Sequence, residues 1–400
     1  MTMKTLRTCL LLLPALLLAA CDGGKNADDA PLFTDSAVIA TRAPLFTSGA
    51  VSLVAATAPF AARNNVVASA TSDLFVRSGG DHYFVIKRFD TNQIQRYAAS
   101  NPAAPVYTYS TQDATDGTAQ SNPSDLLIVS DTKAYLLRYG SGKLWIVNPS
   151  ATTEAAFKIG EIDLSAYDTF DGVPEMTAGI VRNGRLYVAM QRLESFASVK
   201  TSYIAVIDIA TNTEIDTAPT IDGLKGIELP VRDPVSLVGI PGSNNILVLA
   251  DGGYGGFDDG YAQLYEGGIV RIDTAANSAT LVFDDGDATT HPFDFFADIA
   301  TVTSDRGYFI GSTGFGATQT LYRFNPNTTA APIAVPGFQA VAMGSLAVDP
   351  NGKLWVTRTS DTQPGVSILG FTSGAETVDA SLIDTVLTPI NIDFITVPVL

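Results

Sequence analysis

Arginine recurs close to the end of four similar apolar segments, which makes it the most regularly spaced reactive side chain in the sequence. The four residues are Arg88, Arg138, Arg192 and Arg358. Guanidinium groups bind carboxylates and phosphates through paired hydrogen bonds. Two roles follow from this chemistry. The arginines could clamp an anionic small molecule, or they could pair with carboxylates of neighbouring segments and hold those segments in register.

Acidic residues begin the same repeating units, so the fold would place them at the same end of the molecule as the arginines. These acids are Asp125, Glu175, Asp233, Asp294 and Asp298. Charged groups of both signs at one end could form a ligand-binding site. The predicted ligand-binding residues are Arg88, Arg138, Arg192, Arg358, Asp125 and Glu175.

A glycine-rich insert over residues 251–261 offers a second kind of chemistry. Its carboxylates, Asp251, Asp258 and Asp259, are hard oxygen donors of the type that Ca²⁺ or another divalent metal prefers. Their spacing does not match the EF-hand loop, so exposed acidic turns without a metal are the simpler interpretation. No other cofactor is suggested.

Aromatic residues in and beside the same insert predict an alternative role for it. They could form an aromatic lip over a binding site, since long loop insertions often reach such sites. The four aromatic residues are Tyr254, Phe257, Tyr261 and Tyr265.

Histidine and cysteine are scarce, and their scarcity excludes several kinds of active site. The chain has two histidines, His82 and His291, and two cysteines, Cys9 and Cys21. A His-rich metal site, a Cys/His nucleophile pair and a haem-attachment motif are therefore excluded. His82 lies in a predicted strand and His291 in a loop. Neither is predicted to be catalytic, and no catalytic residue is assigned.

The N-terminal residues have the three-part form of an export signal. Lys4 and Arg7 precede an apolar run, and the sequence from Leu18 to Cys21 matches the lipobox of bacterial lipoproteins. The apolar run is too short for a comfortable transmembrane helix. We expect residues 1–20 to be a signal peptide, Cys21 to carry the acyl chains, and residues 21–33 to be a flexible tether. A plain secretory signal cut after Ala20 is the alternative.

Charge limits the partners of the exported part. Without Lys4 and Arg7, 22 Lys and Arg oppose 41 Asp and Glu, which gives a net charge of −19. Such a surface repels nucleic acid, so nucleic-acid binding is not expected. The lipid would anchor the protein to a bacterial cell membrane outside the cytoplasm, with inner and outer membrane both open. An anionic small molecule or an envelope protein is the expected partner.

Apolar strands recur about every fifty residues, and this repeat positions all of the residues above. Units begin near residues 73, 125, 175, 233, 296 and 345 and contain several short strands separated by turn residues. Four antiparallel strands per unit is the blade of a β-propeller. Strand candidates near residues 36–40, 50–54 and 390–397 could build one further blade together. Residues 34–400 are therefore predicted to form one all-β propeller of seven blades, with six or eight as alternatives.

The repeat form resembles known bacterial propellers. Residues 183–188 followed by residues 203–212 are similar to the YVTN-type repeat of YncE-like propellers. Residues 346–357 are similar to repeats of the streptogramin-lyase and SMP-30/NHL group. The resemblance implies the propeller fold, and SMP-30-like enzymes hold a divalent metal in the channel.

Three functions compete at this point. The leading hypothesis is a membrane-anchored, non-catalytic module that binds a ligand or a protein. The alternatives are a metal-dependent hydrolase or lactonase of the SMP-30 kind and a structural scaffold for complexes of the cell envelope.

Overall fold

A computed structural model describes residues 35–117, 119–217, 223–312 and 318–396. Within these ranges the regular structure consists of β-strands in seven sheets and a few short 3₁₀ helices. The predicted signal peptide and Cys21 lie outside the described residues. None of the described helices is long and apolar enough to cross a membrane.

Each sheet is one blade of the propeller. In chain order the first three strands belong to blade 1 and the next eight to blades 2 and 3: β1 (Asp35–Arg42), β2 (Gly49–Ala55), β3 (Ala62–Ser69), β4 (Leu74–Gly79), β5 (His82–Lys87), β6 (Gln93–Ala98), β7 (Asn101–Ser110), β8 (Pro123–Ser130), β9 (Lys133–Arg138), β10 (Lys143–Val147) and β11 (Lys158–Asp163).

Blades 4 and 5 follow, and the outer strand of blade 4 is divided into two short pieces. Their strands are β12 (Met176–Arg182), β13 (Arg185–Met190), β14 (Tyr203–Asp208), β15 (Thr213–Glu214), β16 (Ile227–Glu228), β17 (Pro234–Gly239), β18 (Ile246–Ala250), β19 (Gly268–Asp273) and β20 (Ser278–Asp284).

Blades 6 and 7 and the strand that completes blade 1 end the chain. They contain β21 (Phe295–Thr303), β22 (Arg306–Ser312), β23 (Thr320–Phe324), β24 (Ile333–Ala334), β25 (Met343–Val348), β26 (Leu354–Arg358), β27 (Gly365–Thr372), β28 (Ala375–Asp384) and β29 (Thr388–Thr396). The 3₁₀ helices are Pro44–Phe46, Ala114–Asp116, Glu154–Ala156, Ser165–Tyr167 and Phe257–Asp259.

Blade 1 joins the two ends of the described chain. Strand β29 pairs antiparallel with β1, placing Ile395 opposite Ser36 and Ile392 opposite Ile39. The innermost strands then contact one another in a closed ring, in the order β29, β4, β8, β12, β17, β21, β25 and back to β29. The predicted seven blades and the mixed blade are both confirmed. Closure of this kind leaves no blade face open to water.

Apolar contacts between blades form the core. Seven clusters of buried side chains occupy the seven junctions between neighbouring blades. The middle strands of each blade are apolar on both faces, as in Tyr135, Leu136 and Leu137 of β9, because both faces pack on neighbours. At the junction of blades 7 and 1, the buried indole of Trp355 packs edge-on against Phe60 and Phe394.

Strand direction defines one end of the propeller for everything that follows. The innermost strand of each blade begins at this end, and the loops after the second and fourth strands emerge there. We call it the mouth face. The loops after the first and third strands emerge at the opposite end.

Blade 1 should be sensitive to loss of packing at β29. Ile395 is fully buried in the junction of blades 1 and 2, so Ile395→Ala should lower the free energy of unfolding by about 2–5 kcal/mol. Urea unfolding followed by fluorescence of Trp145 and Trp355 measures the change. Val378→Ala, on the exposed strand β28, is the control and should change it by less than about 0.5 kcal/mol. Equal effects of the two substitutions would contradict the role given to β29.

Candidate functional site

The innermost strands surround a central cavity of about 580 Å³. Six of these seven strands have a β-bulge near the mouth face, where one extra residue changes the direction of the side chains. A ring of mostly polar residues lies at or beside the bulges and lines the cavity: Asp125, Ala178, Ser236, Asp298, Ser345 and Asn391.

Asp298 shows how this ring connects the blades. Its carboxylate accepts hydrogen bonds from the hydroxyls of Ser236 at 2.9 Å and Ser345 at 3.0 Å, and from the backbone NH of Leu346 at 2.9 Å. These partners belong to blades 5 and 7, on either side of Asp298 in blade 6. Burial raises the pKa of Asp298, while the hydrogen bonds oppose that rise. Its hydrogen-bonding capacity is used within the fold.

Asp125 has a similar structural role in blade 3. Arg77 of blade 2 donates to its carboxylate from Nε at 2.6 Å and from Nη2 at 3.2 Å. The backbone NH of Leu126 donates to the same carboxylate at 2.7 Å. The predicted binding residue Asp125 therefore lines the cavity with its charge balanced by an arginine that the sequence did not single out.

The four predicted arginines lie in different environments. Arg138 is fully buried and donates to the carbonyl of Thr111, the hydroxyl of Ser141 and the carboxylate of Asp116. Its guanidinium also stacks on Trp145, with Cζ 4.4 Å from the ring centroid. Arg138 is not part of the cavity wall.

Arg192 and Arg358 are also engaged within the protein. Arg192 donates to the carbonyls of Tyr167 and Thr201, each at 2.6 Å. Arg358 donates to the hydroxyl of Ser367 at 3.0 Å, and burial lowers its pKa. Neither residue lines the cavity.

Arg88 is the predicted arginine that does line the cavity. It directly follows β5, and its Nε lies 3.7 Å from the carboxylate of Asp73, too far for a hydrogen bond. Nε has no hydrogen-bond partner among the described residues. Among the described residues, the Arg88 guanidinium is thus held by an ion pair with Asp73 and by no hydrogen bond from its Nε, unlike the guanidinium groups of the other three arginines.

Residues that directly follow the second strands form a polar arc at the mouth. In blades 2 to 5 they are Arg88, Tyr139, Gln191 and Asp251. The Tyr139 hydroxyl donates to Oε1 of Gln191 at 2.9 Å, and both side chains line the cavity. Tyr139 and Gln191 were not predicted as site residues, although their position after the strand could have identified them.

Charged groups surround Tyr139. Burial raises the pKa of its hydroxyl, the carboxylates of Glu175, Asp233 and Asp251 raise it further, and the positive charge of Arg88 opposes them. The predicted Arg88 and Glu175 and the metal candidate Asp251 thus lie near enough to Tyr139 to affect its pKa, and of these three Arg88 alone is among the residues that line the cavity. We call this group of residues the mouth cluster: Arg88, Tyr139, Glu175, Gln191, Asp233 and Asp251.

The carboxyl groups of the mouth cluster are hard to ionise. Burial raises the pKa of Glu175 to about 8, with Asp171 and Asp168 adding to the rise and the backbone NH of Leu193 opposing it. Burial also raises the pKa of both Asp233 and Asp251, and the charge of Asp233 raises that of Asp251 further. Carboxyl groups with perturbed pKa values are common at functional sites, although these three do not line the cavity itself.

The three metal candidates do not form one donor set. Asp251 is largely buried in the mouth cluster, whereas Asp258 and Asp259 are exposed in the 3₁₀ helix Phe257–Asp259. Within the described ranges, no three His, Cys, Asp or Glu side chains come together as a metal-binding group. Within the part of the chain that the structure describes, Asp251, Asp258 and Asp259 therefore do not form the predicted Ca²⁺ site.

The insert lies on the mouth face, but its aromatic residues do not act as one unit. Phe257 and Tyr261 are exposed and pack edge to face, with centroids 6.2 Å apart. Tyr265 instead stacks on His291 at 4.3 Å. His291 also contacts Asp294, with Nε2 3.1 Å from Oδ1. The residues that line the central cavity do not include Tyr254, Tyr265 or His291.

The raised pKa of Glu175 predicts a pH-dependent stability. Its pKa is about 8 in the folded protein against an ordinary value of 4.5, so its contribution to stability is lost as pH rises between those values. Glu175→Gln keeps an acceptor for Leu193 and cannot ionise. The variant should therefore melt at a higher temperature than the wild type at pH 8 and at nearly the same temperature at pH 4.5. Calorimetry across this range measures the difference, and a difference that is constant with pH would contradict the assignment.

Comparisons with known proteins support the assignment of the propeller fold. No family model and no curated protein matches the sequence. Among solved structures, a protein from Lactobacillus plantarum aligns with a TM-score of 0.60 and 12% identity, covering 90% of this chain and 99% of that one. A proposed 6-phosphogluconolactonase from Bacteroides uniformis aligns with a TM-score of 0.57 and 11% identity, covering 90% and 100%. Apo AztD from Citrobacter koseri gives 0.51 and 14%, covering 90% and 98%. At such identities the chain shares the propeller fold with these proteins.

Proposed function

We propose that this protein is a non-catalytic binding propeller, anchored outside the cytoplasm through Cys21, that holds a small polar ligand at the mouth of its channel. The observation that carries the proposal is the mouth cluster. It combines a cation that lines the cavity, a partly buried hydroxyl–amide pair and carboxyl groups with raised pKa values.

The size of the cavity supports a small ligand. A volume of about 580 Å³ lies within the range of pockets that enclose metabolite-sized molecules, roughly 300–1,000 Å³. Deeper in the channel, Arg77, Asp125 and Asp298 already satisfy one another or the backbone. The mouth therefore supplies the available polar groups, and the channel wall supplies a rigid frame.

The polar groups at the mouth favour a ligand with an anionic group and hydroxyl or ammonium groups. Arg88 can bind the anionic group. Tyr139 and Gln191 can bind hydroxyl or ammonium groups. Amino acids and sugar acids have this combination.

A hydrolytic role is the second candidate, because one observation favours it. A carboxyl group with a pKa of about 8, as in Glu175, can donate or accept a proton near neutral pH. Such a reaction would depend on acid–base chemistry at the mouth. Monitoring every bound compound for hydrolysis by NMR separates this role from binding alone.

Ligand binding should depend on the mouth cluster. We expect amino acids or sugar acids, screened by thermal shift on the purified full-length protein, to include compounds that raise the melting temperature. Arg88→Ala and Tyr139→Phe should each weaken the binding of such a compound by about tenfold or more, measured by titration calorimetry. Arg271→Ala, on β19 and away from the cavity wall, is the control and should leave affinity unchanged. Binding that survives both mouth substitutions would contradict the proposed site.

Membrane attachment should depend on one of the two cysteines. Cys21→Ser should move the protein from the membrane fraction to the soluble fraction and abolish labelling with radioactive palmitate, because acyl chains supply the anchor. Cys9→Ser, within the predicted signal, is the matched control and should change neither result. Membrane attachment that persists in Cys21→Ser would exclude the lipid anchor.

A further inference from the structure

Exposed apolar side chains are distributed unevenly over the propeller. Among the described residues, fourteen large apolar side chains are exposed. Five of them lie on the outer strands β7, β11, β24 and β28, and none lies in the loops of the end opposite the mouth face. The other nine, which we call the rim residues, are in loops of the mouth face: Leu45, Phe46, Phe89, Phe170, Phe196, Val199, Phe257, Tyr261 and Val386.

The backbone at these loops does not favour large side chains. Five rim residues have a positive φ: Leu45 at 60°, Phe46 at 57°, Phe196 at 67°, Tyr261 at 57° and Val386 at 66°. Glycine or asparagine adopts this conformation at much lower cost than a bulky or β-branched residue. An apolar side chain at these positions therefore adds little to the stability of the fold. Contact with another molecule would bury its apolar surface.

Carboxylates follow three of the exposed aromatic residues directly in the sequence. Phe89 precedes Asp90, Phe170 precedes Asp171, and Phe257 precedes Asp258 and Asp259. Among the described residues, none of these four carboxylates forms an ion pair with a cation.

Phe46 and Phe196 differ in this respect. The Arg42 guanidinium lies over the ring of Phe46, with Cζ 4.1 Å from the centroid. Glu194, near Phe196, is paired with Lys200, which also binds Asp168. The loop of Phe196 itself contains Arg192 and Lys200 against Glu194, whereas the loop of Phe170 contains Asp168, Asp171 and Glu175 and no basic residue.

We propose that the mouth face docks a protein partner whose contact surface carries lysine or arginine beside apolar pockets. The aromatic rim residues would enter the pockets, as buried aromatic anchors do in stable interfaces. The flanking carboxylates would pair with the basic residues and steer the encounter. This docking surface is distinct from the small-molecule site and does not depend on it.

Charge argues against two other occupants. A lipid surface would require Asp90, Asp171, Asp258 and Asp259 to approach the headgroup region beside the inserted rings, and anionic headgroups would repel them. A second copy of the chain would bring two surfaces of the same sign together, because the exported body has a net charge of −19. A basic protein surface satisfies both the apolar and the acidic groups.

The first experiment uses the purified full-length protein in detergent and a pair of fluorescent amphipathic peptides. One helical peptide carries Leu and Phe on one face and Lys on the other, and its counterpart has Glu in place of Lys. Fluorescence anisotropy should detect binding of the Lys peptide, weakening as salt increases, and no binding of the Glu peptide. The double variant Phe196→Ser/Phe257→Ser should weaken binding by about tenfold or more.

The matched control removes two exposed apolar residues from the outer strands. Ile333→Ser/Val378→Ser changes residues that are 57% and 55% exposed and should leave peptide binding unchanged. Phe196 and Phe257 are each 79% exposed, so the rim variant should keep the wild-type melting temperature. Equal loss in both double variants, or equal binding of the two peptides, would overturn the proposal.

Two further measurements separate the alternatives. Flotation of the Cys21→Ser protein with phosphatidylcholine vesicles, abolished by the rim substitutions, would indicate a lipid surface and overturn a protein partner. A photo-crosslinking residue at position 196 or 257 of the full-length protein in cells should give adducts on basic surfaces of a partner, and position 378 should not.

The proposed ligand site and the proposed docking surface can be tested separately. The rim variant should retain the thermal shift caused by a mouth ligand, and Arg88→Ala should retain peptide binding. Loss of peptide binding in Arg88→Ala with no effect of the rim substitutions would place the contact in the channel and overturn docking on the rim.

Discussion

A four-stranded blade has two apolar faces, and each face must be covered by a neighbouring blade. The seven clusters of buried side chains at the blade junctions are the result, and they exist only while the ring is closed. With no cysteine after Cys21, no disulfide can help to hold residues 35–396 together. Pairing of β29 with β1 therefore supports every other junction indirectly, since an open ring would expose both faces of the gap.

Most charged groups inside the channel help to align the blades. Asp298 connects blades 5, 6 and 7, and Arg77 with Asp125 connects blades 2 and 3. Blade 1 contributes Asp393, which accepts from the backbone NH of Ser78 at 2.8 Å. Buried polar groups need partners of this kind. Glu175 and Asp233 of the mouth cluster differ, because burial raises their pKa values well above those of ordinary carboxyl groups.

The fold could be predicted from the sequence because the repeat specifies it many times over. The strand pattern located the starts of six units, their second strands and four of their third strands. The remaining strand candidates predicted one further, shared blade, with six or eight blades in all as the alternatives. The candidate site was harder to predict because side chains alternate in direction along a strand. Arg138 is the last residue of β9, whereas Arg88 is the first residue after β5. That difference of one position places Arg138 in the core and Arg88 at the mouth.

The same alternation explains why Tyr139 and Gln191 were not predicted as site residues. Tyr139 and Gln191 occupy the position of Arg88 in blades 3 and 4, but alignment by residue type selected the arginines beside them. Arg192 lies one residue further along and donates to backbone carbonyls instead. The links made by Arg77 and Asp393 depend on contacts between distant blades, and no local pattern in the sequence reports such contacts.

The shared blade also has a consequence for biosynthesis. Strand β1 is made early, yet its partner β29 is synthesised only after some 345 intervening residues. Until then the nascent protein exposes the first edge of blade 1 and the open side of blade 7. Contacts between residues so far apart in the chain form slowly. A propeller closed in this way therefore spends the whole of its translation as an unfinished arc, and it depends on its cellular surroundings to keep those edges from pairing with other chains.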